Sequence, residues 1–307
     1  MKKILIAKTL AVFAIISLIP NIALACACGC GVFDVGTASM LPTQPDGMAF
    51  IEYDFMNQNK NWHNDSSAPA ADNGDKRIRT DFYTAGVQYM FNREYGAEVQ
   101  LPYTDRHFRT TEDDGSIAGF HDSSIGDIRI KGIYTGFSED MSTGITYGVR
   151  LPTGNHNATG FDRDTDIGSG STDILLGAFH VGGLTKDRKF DWFTSGELDQ
   201  PILVQNGYRP GAEIDAVVGT YYNDWYIGKV KIIPIAQVIG SMRWRDDGPA
   251  SNHPDSGYER LLLSPGIEAD ISNVRLYADV EVPVYQYVNG NQLTAPELFK
   301  MNISYQF

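Results

Sequence analysis

From Met48 onward the sequence alternates apolar and polar residues in runs of about a dozen, the period of a strand whose two faces meet different surroundings. In 274–287, Val274, Leu276, Ala278, Val280, Val282 and Val284 share one face, while Arg275, Tyr277, Asp279, Glu281 and Tyr285 share the other. The same grammar recurs in 258–271 and 95–108. It predicts twelve strands, near 48–58, 78–90, 95–108, 123–135, 142–153, 170–182, 190–204, 211–222, 226–242, 258–271, 274–287 and 296–307. The strands 170–182 and 190–204 alternate poorly. Short connections at Asn92, Ser138, Asn223 and Ser272 take turns with long ones at 59–77, 109–122, 154–169 and 243–257. An even strand count with tight turns at one end and long loops at the other is the layout of an outer-membrane barrel. Strands of this length, tilted, are long enough to cross a bilayer.

The expected fold is therefore all-β, a single antiparallel up-and-down transmembrane β-barrel of about twelve strands. A soluble secreted sandwich or propeller is the competing architecture, because it too alternates apolar and polar faces. The two ends of the chain favour the membrane. Met301, Ile303, Tyr305 and Phe307 alternate to a terminal aromatic, as a last strand that closes onto the first would require. At the other end, Lys2 and Lys3, the apolar stretch 10–19 and Ala23-Leu24-Ala25 read as a secretory signal with its cleavage site. The organisation expected is a signal peptide at 1–25, a Cys/Gly-rich arm at 26–47, periplasmic or inside the barrel, and the barrel at 48–307.

All three cysteines fall in that arm, as Cys26-Ala27-Cys28-Gly29-Cys30. No disulfide framework can therefore form within the barrel. Three thiols separated by small residues could wrap one soft ion such as Cu(I) or Zn(II). Oxidation of one pair, lipidation of Cys26 and an arm without a role of its own are the competing readings.

Composition narrows the function further. The 307 residues carry a formal charge of -13 and a pI near 4.8, which argues against nucleic acid as a partner, since phosphates reward basic surfaces. Thirty-one glycines and a high aromatic content suit strands and turns. Proline stands inside several strands, at Pro102, Pro152, Pro201, Pro234 and Pro283, where ladders normally exclude it. Bulges that bend the wall are one reason for it to be there, and strand ends are the other.

Ile125-Gly126-Asp127-Ile128-Arg129-Ile130-Lys131-Gly132, Leu151-Pro152-Thr153-Gly154 and Gly168-Ser169-Gly170-Ser171-Thr172-Asp173-Ile174-Leu175-Leu176-Gly177 resemble motifs of the outer-membrane transporter family described as putative MetA-pathway of phenol degradation. The likeness extends over much of 48–307. It implies a barrel in the Gram-negative outer membrane, associated in some members with uptake of aromatic compounds.

If the apolar face meets lipid, the polar face surrounds the lumen and sets selectivity. The inward acids by parity are Glu52, Asp54, Glu98, Asp127, Glu197, Asp199, Glu213, Asp215, Glu268, Asp270, Asp279 and Glu281; the inward bases are Arg106, Arg129, Lys131, Arg150, Arg260 and Arg275. Acids outnumber bases, so a pore so lined should favour cations. Glu98, Glu197, Asp199, Asp279, Glu281 and Arg150 are the candidate permeation residues. The acidic loop around Asp162, Asp164 and Asp166, with Asp173 eleven residues after Asp162, has carboxylates at chelating spacing, but Ile167 stands where a calcium loop needs glycine. His121-Asp122-Ser123-Ser124 holds residue types of a hydrolase without the facing geometry that catalysis needs.

The function expected is an outer-membrane channel or transporter passing small solutes, aromatic compounds or cations among them, with no catalytic activity and no organic cofactor. Its partners would be outer-membrane lipid, its solutes and the barrel-assembly machinery. The alternative is a soft-metal-binding outer-membrane protein that uses Cys26, Cys28 and Cys30.

Overall fold

A computed structural model of the protein describes residues 40–42, 44–112 and 114–307. Twelve strands make the wall: β1 (Gly47–Gln58), β2 (Arg77–Met90), β3 (Tyr95–Thr111), β4 (Ile128–Tyr134), β5 (Thr143–Leu151), β6 (Ser171–Gly183), β7 (Phe190–Val204), β8 (Glu213–Tyr222), β9 (Val230–Arg243), β10 (Tyr258–Ile271), β11 (Val274–Thr294) and β12 (Leu298–Gln306). Each pairs antiparallel with its neighbours in sequence order, and β12 pairs with β1 from Met48↔Gln306 to Met56↔Leu298. Reciprocal bonds between the backbones of Gly47 and Phe307, at 3.0 and 2.9 Å, lie at this seam. The barrel is closed, so each of the twelve wall strands has two partners and the wall itself has no free edge.

The alternation read from the sequence is the in-and-out alternation of the wall. Val87, Val99, Leu101, Ile130, Leu176, Val218, Leu263, Val282 and Ile303 stand exposed on the outside, where lipid covers them. Aromatic rings bound this apolar band. Tyr53, Tyr83 and Tyr103 form a row with ring centres 5.2 and 6.4 Å apart near the long-loop end, and the pairs Tyr95 with Tyr134 and Phe190 with Tyr222 mark the short-turn end. Two girdles on an apolar belt are the signature of a transmembrane barrel.

Several connections differ from the sequence reading. The loop expected at 109–122 is largely strand, because β3 runs on to Thr111 and Ile117–Ile125 pairs with it as a hairpin standing above the barrel rim. The strand expected at 123–135 is thus broken at Gly126-Asp127 into that hairpin arm and β4. Trp225–Ile227 does not continue into β9 but turns back on it around Gly228, whose positive φ of 62° permits the tight turn.

The prolines divide by cause. Pro201 and Pro283 lie at register shifts that leave Ile202 and Val284 as the extra residues, and three residues, Gly126 to Ile128, face two at Leu101-Pro102. These three mark bulges. The bulge at Val284 reverses the parity that follows, so Tyr285, expected inside, stands outside. Pro152 follows the end of β5, and Pro234 sits outward in an unshifted ladder.

The interior is not uniformly polar. Toward the short-turn end it is filled by Met90, Ile133, Phe179, Val181, Phe193, Ile233 and Ile235, with Leu41 packed among the same cluster. Phe50, Phe179 and Phe193 each lie across the glycine paired with them on the next strand, Gly86, Gly144 and Gly219, where a Cβ would strike the ring. This is why β6 alternates poorly, since it turns Leu175, Phe179 and Val181 inward as well as Ile174 and Leu176 outward, while β7 places Phe193 inside and the small or polar Thr194 and Gly196 outside.

Candidate functional site

The charged residues of the interior form a belt across the lumen, built from inward positions on many of the wall strands. Lys300 on β12 reaches Glu52 and Asp54 on β1 at 3.3 and 3.4 Å. Lys131 and Arg129 on β4 approach Glu197 on β7 at 2.7 and 3.7 Å. Arg150 on β5 pairs with Asp173 on β6 and, at 2.8 Å, with Asp199 on β7. Glu98 accepts a 2.8 Å bond from Gln100 and is paired in register with Lys131. Asp279 accepts bonds of 2.9, 2.6 and 2.7 Å from Gln237, Ser264 and Tyr277. Glu281 is buried at 1% exposure, and among the described residues neither of its carboxylate oxygens has a hydrogen-bond partner. Buried charges of this kind persist only where opposite charges and donors surround them.

All six residues expected at the lumen, Glu98, Glu197, Asp199, Asp279, Glu281 and Arg150, point inside. The remaining inward acids and bases read from parity do so as well. Two members of the belt were overlooked. Lys300 was legible, since Met301, Ile303 and Tyr305 face out and their even-numbered neighbours must face in. Asp173 was read only as a distant member of an acidic loop, and its pairing with Arg150 needs the register of β5 on β6. Cys26, Cys28 and Cys30 lie outside the described residues.

The belt separates two cavities. The outer one, of about 170 Å³, is lined by Asp54, Gln100, Arg129, Arg150 and Asp199 below and by loop residues above. The inner one, of about 70 Å³, lies between Glu52, Glu98, Lys131, Glu197 and Lys300 and residues 40–42. Asn302 there contacts the Met40 sulfur at 3.4 Å.

Segment 154–170 folds inward across the outer mouth. Arg106 on β3, 1% exposed, donates from Nη1 to the carbonyls of Thr165 and Asp166 at 2.6 and 3.0 Å and from Nε to Thr80 at 3.1 Å. Asp127 accepts from the Gly154 and Ser169 amides at 2.9 and 2.8 Å and from the Ser169 hydroxyl at 2.6 Å. Thr153 Oγ1 donates to the Gly126 carbonyl and accepts from the Ile128 amide. Gly154 and Gly168 approach backbone to backbone, where either Cβ would collide. Phe161 packs on Phe108, with ring centres 5.7 Å apart. The three motifs that carried the sequence resemblance thus meet in one knot at the base of this loop.

The loop carboxylates are used for anchoring rather than for a calcium site. Asp162 is bound by Lys76 at 2.7 Å, whereas Asp166 accepts from the Ala158 amide and faces Arg163 at 3.6 Å. Burial pushes the Asp166 carboxyl up to about 6, against the lowering pull of the Ala158 amide, Arg163 and His156, with Asp122 opposing them. The sign follows from linkage. A carboxyl with a raised pKa binds its proton more tightly in the closed loop than in a solvated one, so closure strengthens as pH falls from about 6 toward 4. Conductance is expected to fall on acidification through that window, and Asp166→Asn should lose most of the response; an unchanged pH profile in that variant would count against it.

A closed barrel with an apolar outer belt, two aromatic girdles and a charged interior is an outer-membrane β-barrel. The fold matches the COG4313 outer membrane channel from Pseudomonas putida F1 with a TM-score of 0.67 at 13% identity, covering 90% of this chain and 100% of that one. It also matches the β domain of the Bordetella autotransporter BrkA with a TM-score of 0.54 at 10% identity, over 86% and 100% of the two chains. No family model and no curated protein sequence matches the chain.

Proposed function

We propose that this protein is a passive outer-membrane channel for small hydrophilic solutes that prefers cations, and that the conformation described is its closed form. The observation that carries the proposal is the belt of inward charges crossing the lumen, in which carboxylates outnumber cationic groups. Such a belt offers water-like partners to polar solutes and a negative field to cations. Its polar walls make poor surroundings for a bare aromatic hydrocarbon, which would have to pass charged groups without replacing their partners. Segment 154–170 is held over the mouth by side chains rather than by a strand ladder, so it can move without opening the wall. At the inner end, the segment that precedes β1 acts as a second stopper through Leu41.

The mature protein reconstituted in planar bilayers should show discrete current steps, with a reversal potential in a salt gradient of the sign set by cation flow. Absence of steps, or a reversal potential of the opposite sign, overturns the proposal.

A further inference from the structure

The outer surface of the barrel is stratified above the tyrosine row. Reading across the register of β1, β2, β3 and the hairpin arm Ile117–Ile125, the row Tyr53, Tyr83, Tyr103 is followed by Phe55, Asp81, Asp105, Ser123 and then by Asn57, Arg79, His107, His121. The last two rows lie beyond the outer girdle, in the zone of headgroups and water. Among the described residues, Asp105, His107 and His121 are the group whose metal-binding atoms all lie within 4.8 Å of one another.

Strand geometry brings them together. Asp105 and His107 are two apart on β3 and so share a face, and His107 is directly opposite His121 across the hairpin. The two imidazoles stack with centres 4.3 Å apart and planes 13° from parallel. Both Nε2 atoms approach the same oxygen, Asp105 Oδ1, at 3.3 Å from His107 and 2.9 Å from His121. Tetrahedral zinc with ligands at about 2.0–2.2 Å holds neighbouring donor atoms about 3.3–3.5 Å apart, close to both nitrogen-to-oxygen separations, and the two imidazoles need to turn out of their stack so that both Nε2 lone pairs aim at one ion. The side chains are half-exposed, which leaves the remaining coordination positions open to water. Arg79, opposite His107, is drawn away by Asp81 at 3.3 Å and by the Phe55 ring at 5.5 Å.

We propose that Asp105, His107 and His121 bind a divalent transition-metal ion of the zinc class on the outer surface of the barrel. Two imidazoles and one carboxylate suit borderline ions such as Zn²⁺ and Cu²⁺ better than Mg²⁺ or Ca²⁺, which prefer oxygen ligands. Because the hairpin is local and its strands are paired, the backbone already holds the three residues side by side, and only the two rings must turn when the ion arrives. The proposal is independent of the channel reading, since these residues face away from the lumen.

The test is calorimetric titration of Zn²⁺ into the detergent-solubilised mature chain, with the arm cysteines alkylated so that they do not compete. One ion per chain is expected. His121→Ala and His107→Gln should each weaken binding by at least about tenfold, and acidification from about pH 7.5 to about pH 5.5 should weaken it in the wild type, since protons compete for the same lone pairs. Heat-modifiable migration on gels checks that each variant has kept its barrel. No saturable Zn²⁺ binding in the wild type, or an unchanged isotherm in the folded double variant, overturns the proposal.

Discussion

Replacing Arg106 with methionine should open the channel. Its guanidinium is the strand group that grips segment 154–170 from below, through the carbonyls of Thr165 and Asp166. Bonds from a charged donor contribute about 1.5–3 kcal/mol each, so losing both removes on the order of 3 kcal/mol from loop closure and shifts the closed-to-open ratio by about a hundredfold. Methionine fills similar space but leaves the two carbonyls without this donor, and they regain partners only by moving into water. The measurement is open probability in planar bilayers. Traces like those of the wild type would show that the loop is held elsewhere, at the Asp127 knot or by the Lys76 and Asp162 pair.

The second large effect is expected on stability. Lys300 is 4% exposed and is the cation within reach of both Glu52 and Asp54, with Glu281 buried on the strand beside it. Lys300→Met leaves buried carboxylates without their counter-charge, a change that costs about 3–5 kcal/mol when one partner of a buried pair is removed. The midpoint of the heat-modifiable gel transition should fall clearly. Adding Glu52→Gln should recover part of the loss, because it removes one of the stranded charges. If Lys300→Met melts like the wild type, the belt is hydrated well enough that its pairing contributes little. If the second change recovers nothing, the loss came from packing.

The alternation along 258–271 and 274–287 was sufficient to place those strands within the wall and to assign lipid and lumen faces up to the bulge. That reading works because lipid tolerates few polar groups and the strand period is two, so a single apolar position fixes the facing of its neighbours. It failed where the two faces lacked contrast. β6 has apolar residues inside as well as outside, β7 has Phe193 inside and the small or polar Thr194 and Gly196 outside, and the cue vanished. It failed again beyond Val284, where one extra residue turned Tyr285 outward, because a bulge changes parity without leaving a unique mark in the sequence.

The belt was half legible. Glu98, Glu197, Asp199, Asp279, Glu281 and Arg150 could be placed inside by parity alone, and Lys300 could have been added by the same rule. Their partners could not. Lys131 meets Glu197 and Arg150 meets Asp199 between strands that are not paired with each other. The motifs 125–132, 151–154 and 168–177 were recognisable as words, yet their role as the anchor of an inward loop depends on Asp127 receiving bonds from both other segments.

By itself the sequence determined the number of strands, the faces of those that alternate cleanly, the end that carries the long loops and the acidity of the lumen, because each is written in local period and composition. Only the tertiary structure decided which charges meet, that segment 154–170 lies across the mouth, and that Asp105, His107 and His121 converge. Those outcomes depend on register and closure, which set the distances between residues that local pattern leaves unrelated.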